Sequence, residues 1–186
     1  MVVKKTDRLG VIESARRLFR RNGYHNTSMA DIGADCGLLK GSIYHYFPSK
    51  EDLALAVITR EFDEARETIF TLAFRPGQSE RQRLEALCQA VKARYMTSEG
   101  GCLLANMALE ISNVLPDFVP PIRDFFDTWL AAVARLLEPR FGPHRARELA
   151  ADAVARFQGA LMLFRLDPRA EAMVRRAHLE VVALLD

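Results

Sequence analysis

Apolar residues recur along this chain at the three- and four-residue spacing of a helix, and no alternating apolar and polar run bounded by turn residues reads as a strand. That property predicts an all-α fold. A first helix is expected over about 7–21, with Val11, Ile12, Ala15, Leu18 and Phe19 on one stripe and Arg16, Arg17, Arg20 and Arg21 on the other face. Asn22-Gly23 supplies a left-handed stop. Thr27-Ser28 opens a short helix with Asp31 in capping-box spacing, and that helix ends at Cys36-Gly37. A third helix is expected over about 39–46 and a fourth, capped by Ser49 and Asp52, from there to about residue 73, where Pro76-Gly77 follows. Further helices are expected at about 79–97, 102–114, 120–138, 144–165 and 168–185, separated by glycine and proline pairs such as Gly142-Pro143.

Composition narrows the class. Apolar residues are 49% and charged residues 27% of the 186, the profile of a soluble globular protein. No stretch of eighteen apolar residues occurs, and the first residues lack the apolar core of a signal peptide, so a cytosolic protein with no membrane partner is expected. Cys36, Cys88 and Cys102 are odd in number and lack C-x-x-C spacing, which argues against a disulfide framework or a zinc site. Charge is unevenly placed: residues 1–50 carry +5 and residues 51–186 carry −3. A basic head suits phosphates, because neutralising a nucleic-acid backbone releases counterions. The alternative is a merely solvated basic face on the first helix.

Two short helices around Cys36-Gly37-Leu38 have the length of a helix-turn-helix, in which a second helix enters the major groove. Ile32, Ala34 and Ile43 are expected to form their shared core. The remaining face of the second helix carries Lys40, Gly41, Ser42, Tyr44, His45 and Tyr46, donors and small residues suited to base edges and phosphates. Thr27, Ser28 and Lys50 flank it as candidate backbone clamps. The domains expected are a head at 1–48 and a helical body at 49–186, joined by the long fourth helix.

The run T-S-M-A-D-I-G-A-D-C-G-L-L-K-G-S-I-Y-H-Y-F-P-S-K-E-D-L, with A-R-R-L-F-R-R-N-G-Y upstream, resembles the signature of the TetR/AcrR family of bacterial regulators. The resemblance implies a homodimer that binds a palindromic double-stranded DNA operator, usually as a repressor, and releases it when an effector enters the C-terminal body. It also implies DNA contacts at Thr27, Lys40, Gly41, Tyr44, His45 and Lys50, with Tyr46-Phe47 also packing the head. Two positions depart from the family. Leu39 stands where a serine or proline often starts the recognition helix, so a cap is missing. Gly33 replaces the usual alanine, at about 1 kcal/mol in a helix interior. Both suggest a head that orders fully only on DNA.

In the body, Tyr95, Met107, Phe125, Trp129 and Phe157 are candidates for the walls of an effector pocket, although aromatics at helical spacing are usually core. Residues 101–110 resemble a G-C-L-x-x-N-x-A-x-E pattern of some effector domains in the same family, which adds Cys102, Asn106 and Glu110, spaced i, i+4, i+8 on one face. Cys102 follows two glycines at a helix start, where a thiolate is favoured; an electrophile or oxidant sensor and a small buried thiol, with Asn106 and Glu110 capping neighbouring loops, both remain open. The last two helices interleave small and large residues, and the resemblance implies that they form the dimer interface. No metal or cofactor is expected, since the four histidines are isolated and no phosphate loop occurs. An enzyme is therefore not expected; a DNA-binding or architectural dimer without an effector is the remaining rival.

Overall fold

The computed structural model describes residues 7–39, 41–97, 101–111 and 115–186, and among these no strand is present. Seven α-helices follow in order: α1 Arg8–Asn22, α2 Met29–Asp35, α3 Lys50–Thr68, α4 Glu80–Thr97, α5 Leu103–Ile111, α6 Val119–Leu166 and α7 Glu171–Ala183. Short 3₁₀ turns lie at Ser42–His45, Phe70–Phe74, Pro116–Phe118 and Pro168–Ala170. None of the helices is long and apolar enough to cross a membrane, among the described residues.

Local chemistry accounts for most helix ends. The Asp7 carboxylate accepts from the Gly10 amide and starts α1, which stops at Gly23 with φ 85°. Ser28 and Asp31 form a reciprocal capping box on α2. The Ser49 hydroxyl accepts from the Asp52 amide ahead of α3, and Ser79 and Gln82 cap α4 reciprocally. Gly142, at φ 74° and ψ 164°, breaks α6 where Gly142-Pro143 predicted a boundary between two helices.

Two expectations fail locally. The helix expected to run to residue 73 ends at Thr68 and gives way to the 3₁₀ turn at Phe70–Phe74. The Thr68 and Thr71 hydroxyls there donate to the Glu64 and Glu67 carbonyls, competing with the main-chain ladder. The α-helix expected over 39–46 is likewise only the four-residue turn Ser42–His45, because Gly41 sits at φ 88° in the left-handed region and no side chain caps the turn.

The chain forms two compact units. The first comprises Met1–Glu61 with Leu103–Ile122; the second comprises Phe62–Cys102 with Arg123–Asp186. The boundary suggested by sequence at residues 48 and 49 thus falls inside the first unit, and α5, from far along the chain, belongs to it as well. In the first unit Phe19, Ile32, Ile43, Phe47, Leu53 and Phe118 are all 2% exposed or less. A polar network ties α1 to α3: Arg16 and Arg20 both bond to the Glu61 carboxylate, which is 2% exposed. The second unit is built around an aromatic cluster in which Trp129 meets Phe70, Tyr95, Phe125, Phe126 and Phe157 at ring centroid distances of 5.8–6.4 Å.

Candidate functional site

One buried side chain holds the turn of the head. Ile43, 2% exposed, anchors the turn, and a side chain at Gly33 of α2 would meet the Ile43 Cβ at 3.8 Å. Tyr44, 55% exposed, and His45 project from the opposite side, Tyr46 is half-buried, and Phe47 is buried beneath the Arg8 guanidinium at 4.4 Å. Gly41 is exposed and Ser42 half-buried. Lys40 lies outside the described residues. The exposed candidates are thus Gly41, Tyr44 and His45 of the turn and Ser28 at the start of α2.

Two other candidates are committed internally. Thr27 is fully buried and its hydroxyl donates to the Gly23 carbonyl at 2.8 Å, so its proton is not free for a phosphate. The Lys50 ammonium donates to the Tyr24 and Thr27 carbonyls at 3.0 and 3.1 Å and lies 4.1 Å above the Tyr24 ring. Two of its three N–H groups are thereby spent. The basic face of α1 is similarly reduced: Arg16 and Arg20 share the Glu61 carboxylate, Arg16 also pairs with Glu13 at 3.2 Å, and Arg17 bonds to Asp35 at 2.6 Å. The Asp35 carboxyl is held below the usual carboxylate range, first by the Ser14 hydroxyl and then by Arg17. Arg21 stays exposed.

The body candidates separate into two groups. Tyr95, Phe125, Trp129 and Phe157 join the aromatic cluster of the second unit, and of these Trp129 and Phe157 also line a cavity of about 30 Å³. Its other walls include Leu87, Cys88, Val91, Val133 and His178, none of which the sequence singled out. His178 is 7% exposed. Burial, followed by the Lys92 ammonium, holds its pKa below the ordinary histidine value against the opposing pull of Glu85, so the imidazole is neutral at pH 7. Burial and then Glu85 push the Cys88 thiol up to about 12, which makes it an inert wall. The sequence signal for His178 was faint: a lone histidine at helical register among Val174, Ala177 and Val181.

Asn106, Met107 and Glu110 lie on α5 in the first unit and do not line that cavity. Glu110 instead grips the connection between α1 and α2: Tyr24 N–H donates to its Oε2 at 2.9 Å and His25 N–H to its Oε1 at 2.6 Å. Cys102 immediately precedes α5 and is 3% exposed, the environment of a packed thiol. Before it, Gly101 has φ 70°, and a side chain there would stand 3.1 Å from Arg165 Cδ. No group of three His, Cys, Asp or Glu is arranged to hold a metal ion among the described residues.

Comparison with known proteins supplies the rest. A family model described as bacterial regulatory proteins, tetR family, matches residues 11–57. A second, the C-terminal domain of LmrA/YxaF-like transcriptional regulators, matches residues 81–178. YxaF of Bacillus subtilis, an uncharacterized HTH-type transcriptional regulator, is 25% identical over 167 residues, 88% of this chain and 87% of its own. The HTH-type transcriptional repressor DhaR of Mycobacterium sp. strain GP1 is 25% identical over 170 residues, 88% of this chain and 84% of its own. A solved TetR transcriptional regulator from Chloroflexus aurantiacus superposes with a TM-score of 0.81 at 28% identity, covering 95% of this chain and 92% of that one.

Proposed function

We propose that this chain, which belongs to the TetR family of bacterial regulatory proteins, is a repressor that binds a palindromic operator as a homodimer and leaves it when a small molecule enters the body. Members of the family are helix-turn-helix transcriptional regulators rather than enzymes, and they bind DNA as dimers. The observation that carries the reading is the exposed edge formed by Tyr44 and His45 on a turn anchored by the buried Ile43. Side chains so anchored meet base edges without loosening the head, while Lys40, Gly41, Ser42, Tyr46 and the remaining N–H of Lys50 serve the adjoining backbone. Ser28 and Thr27 act through α2, whose start they hold. The DNA-contacting part is thus the head at 1–48 with Lys50, and the protein works in the cytoplasm, where bacterial DNA lies.

Two heads reach successive major grooves only if they are held about 34–36 Å apart. The apolar residues that α6 and α7 leave in solvent support a dimer through the last two helices: Met162 is 56% exposed, Met173 48% and Leu179 59%. Met162 and Met173 share a surface cleft with the small residues Gly159 and Ala160, which permit close helix approach.

The effector enters at the cavity beside Trp129, Phe157 and His178, where a neutral imidazole offers one polar contact in apolar walls. As it stands the cavity has room for about two waters, so an effector must enlarge it, which is how binding would shift the dimer between two spacings. That small size also favours a second reading, a DNA-binding dimer without effector. Thermal-shift screening decides between them, since a ligand binding only the native state raises stability by RT ln(1 + [L]/Kd).

The central test is selection of bound DNA from a random duplex library with the full chain. Enrichment of a palindrome with half-sites one or more helical turns apart is expected. No enrichment at moderate salt would overturn the proposal.

A further inference from the structure

We propose that Glu110 is a positioning residue for DNA binding: its carboxylate, brought from α5, fixes the connection between α1 and α2 and so sets where the start of α2 sits. The proposal rests on the head being the DNA-binding part. Both carboxylate oxygens are used, one on the amide of Tyr24 and the other on the amide of His25, at 2.9 and 2.6 Å. Two successive main-chain N–H groups facing one carboxylate form a small anion-binding concavity, and such charge-assisted bonds are about twice as strong as neutral ones. Gly23 makes room for it: its φ of 85° disfavours a side chain, and a Cβ there would stand 3.1 and 3.2 Å from the Glu110 oxygens.

The residues gripped lead directly into the interface. Thr27 donates its hydroxyl to the Gly23 carbonyl, and Ser28, the next residue, caps α2. The carbonyls of Tyr24 and Thr27 are held from the other side by Lys50, the Tyr24 hydroxyl donates to Glu51 at 3.0 Å, and its ring packs edge-on against Phe118 at 5.9 Å. Glu110 is thus the member of this cage that comes from outside the contiguous head. The helices themselves are fastened elsewhere, α1 to α2 through Ser14, Arg17 and Asp35 and α1 to α3 through Arg16, Arg20 and Glu61. Removal of Glu110 should therefore free residues 23–27 while the helices stay packed. By the same contact a shift of α5 is felt at the start of α2.

Electrostatics alone predicts the opposite sign, because deleting a carboxylate near a phosphate-binding face strengthens attraction to DNA. The experiment uses the full chain and the operator selected with the unaltered protein. Affinities for operator and for an unrelated duplex are measured at two salt concentrations for Glu110→Ala, Glu110→Gln and Leu109→Ala, the last an 86% exposed neighbour serving as control. Operator affinity is expected to fall at least tenfold in Glu110→Ala, with affinity for the unrelated duplex unchanged or raised. Glu110→Gln, which keeps one acceptor oxygen, should fall about threefold, and Leu109→Ala should match the parent. Amide exchange at Tyr24 and His25 should quicken in Glu110→Ala while α1 and α3 keep their protection. Should Glu110→Ala not fold, Glu110→Gln carries the test by the same threefold criterion. Operator affinity within twofold of the parent in every folded Glu110 variant, or an equal loss on both duplexes, overturns the proposal. Failure of the parent to select any operator overturns the reading of the head together with it.

Discussion

The connection at residues 23–27 adds to its local bonds hydrogen bonds with Glu110, Lys50 and Glu51, groups far away in the sequence, whereas the turn at Ser42–His45 is closed by bonds from its immediate neighbours. In the turn, Ser42 N–H donates to the Leu39 carbonyl at 2.9 Å and Tyr46 N–H to the Ile43 carbonyl at 3.0 Å, and a single buried side chain, Ile43, holds the element down. One end of α2 is therefore fixed by tertiary contacts and the other leads into a lightly built segment. The difference matches the two tasks. A part held in register with the rest of the molecule is over-determined, and on the proposed reading the part that meets a groove is left with little beyond local backbone geometry.

Four changes would break or sharpen that contrast. Glu61→Ala should cost most, about 3 kcal/mol, because it takes the shared carboxylate from Arg16 and Arg20, whose side chains are each 14% exposed, although Arg16 keeps its pair with Glu13. Thermal unfolding should show the drop, and a midpoint within 2 °C of the parent would mean the network is not what fastens α1 to α3. Lys50→Met is next at about 1.5 kcal/mol, since two charged hydrogen bonds to the 23–27 connection are lost from a half-buried ammonium. Faster exchange at residues 23–27, with little change at 42–47, is the signature to look for.

Gly33→Ala works in the other direction on the light side. The new methyl would meet Ile43 at an ordinary 3.8 Å and remove the entropic penalty of a helical glycine, so a gain of about 0.5–1 kcal/mol is expected by denaturant titration. A loss instead would show that the turn cannot sit closer to α2. The smallest effect belongs to acid. Asp35 has a folded-state pKa below its unfolded value, so its contribution is complete above about pH 4 and disappears as pH falls through the lower folded value. Stability curves of the parent and Asp35→Asn should converge on acidification; parallel curves would remove Asp35 from the account.

Legibility in the sequence follows the range of the interaction. Asn22-Gly23, the Ser28–Asp31 box, the Ser49–Asp52 pair and Gly142-Pro143 mark real helix ends, because each acts within three or four residues of itself. The helical class and the regulator family were legible too, one from periodicity and the other from a long run of specific residues. What escaped was long in range or set by competition. The i, i+4, i+8 spacing of Cys102, Asn106 and Glu110 put Glu110 either at a pocket or on a neighbouring loop, and it is the loop at residues 24 and 25 that it holds, a partner that no spacing encodes. The arginines of α1 counted simply as a basic face because Glu61, the partner of Arg16 and Arg20, is more than forty positions away. The recognition segment is a short turn and not a helix; the missing cap at Leu39 was a visible signal of weakness, whereas the left-handed Gly41 was read only as a contact candidate.

The inclusion of Leu103–Ile122 in the first unit matters to anyone assembling hybrid regulators from interchangeable parts. A graft cut after residue 48, or even after residue 61, would carry the reading surface but leave behind the carboxylate that seats on Gly23 and the Phe118 ring that backs Tyr24. The transplantable cassette in this protein is discontinuous. A recipient must either receive both pieces or already own an acidic residue at the place of Glu110, and compatibility between donor and recipient is a question about α5 before it is one about DNA.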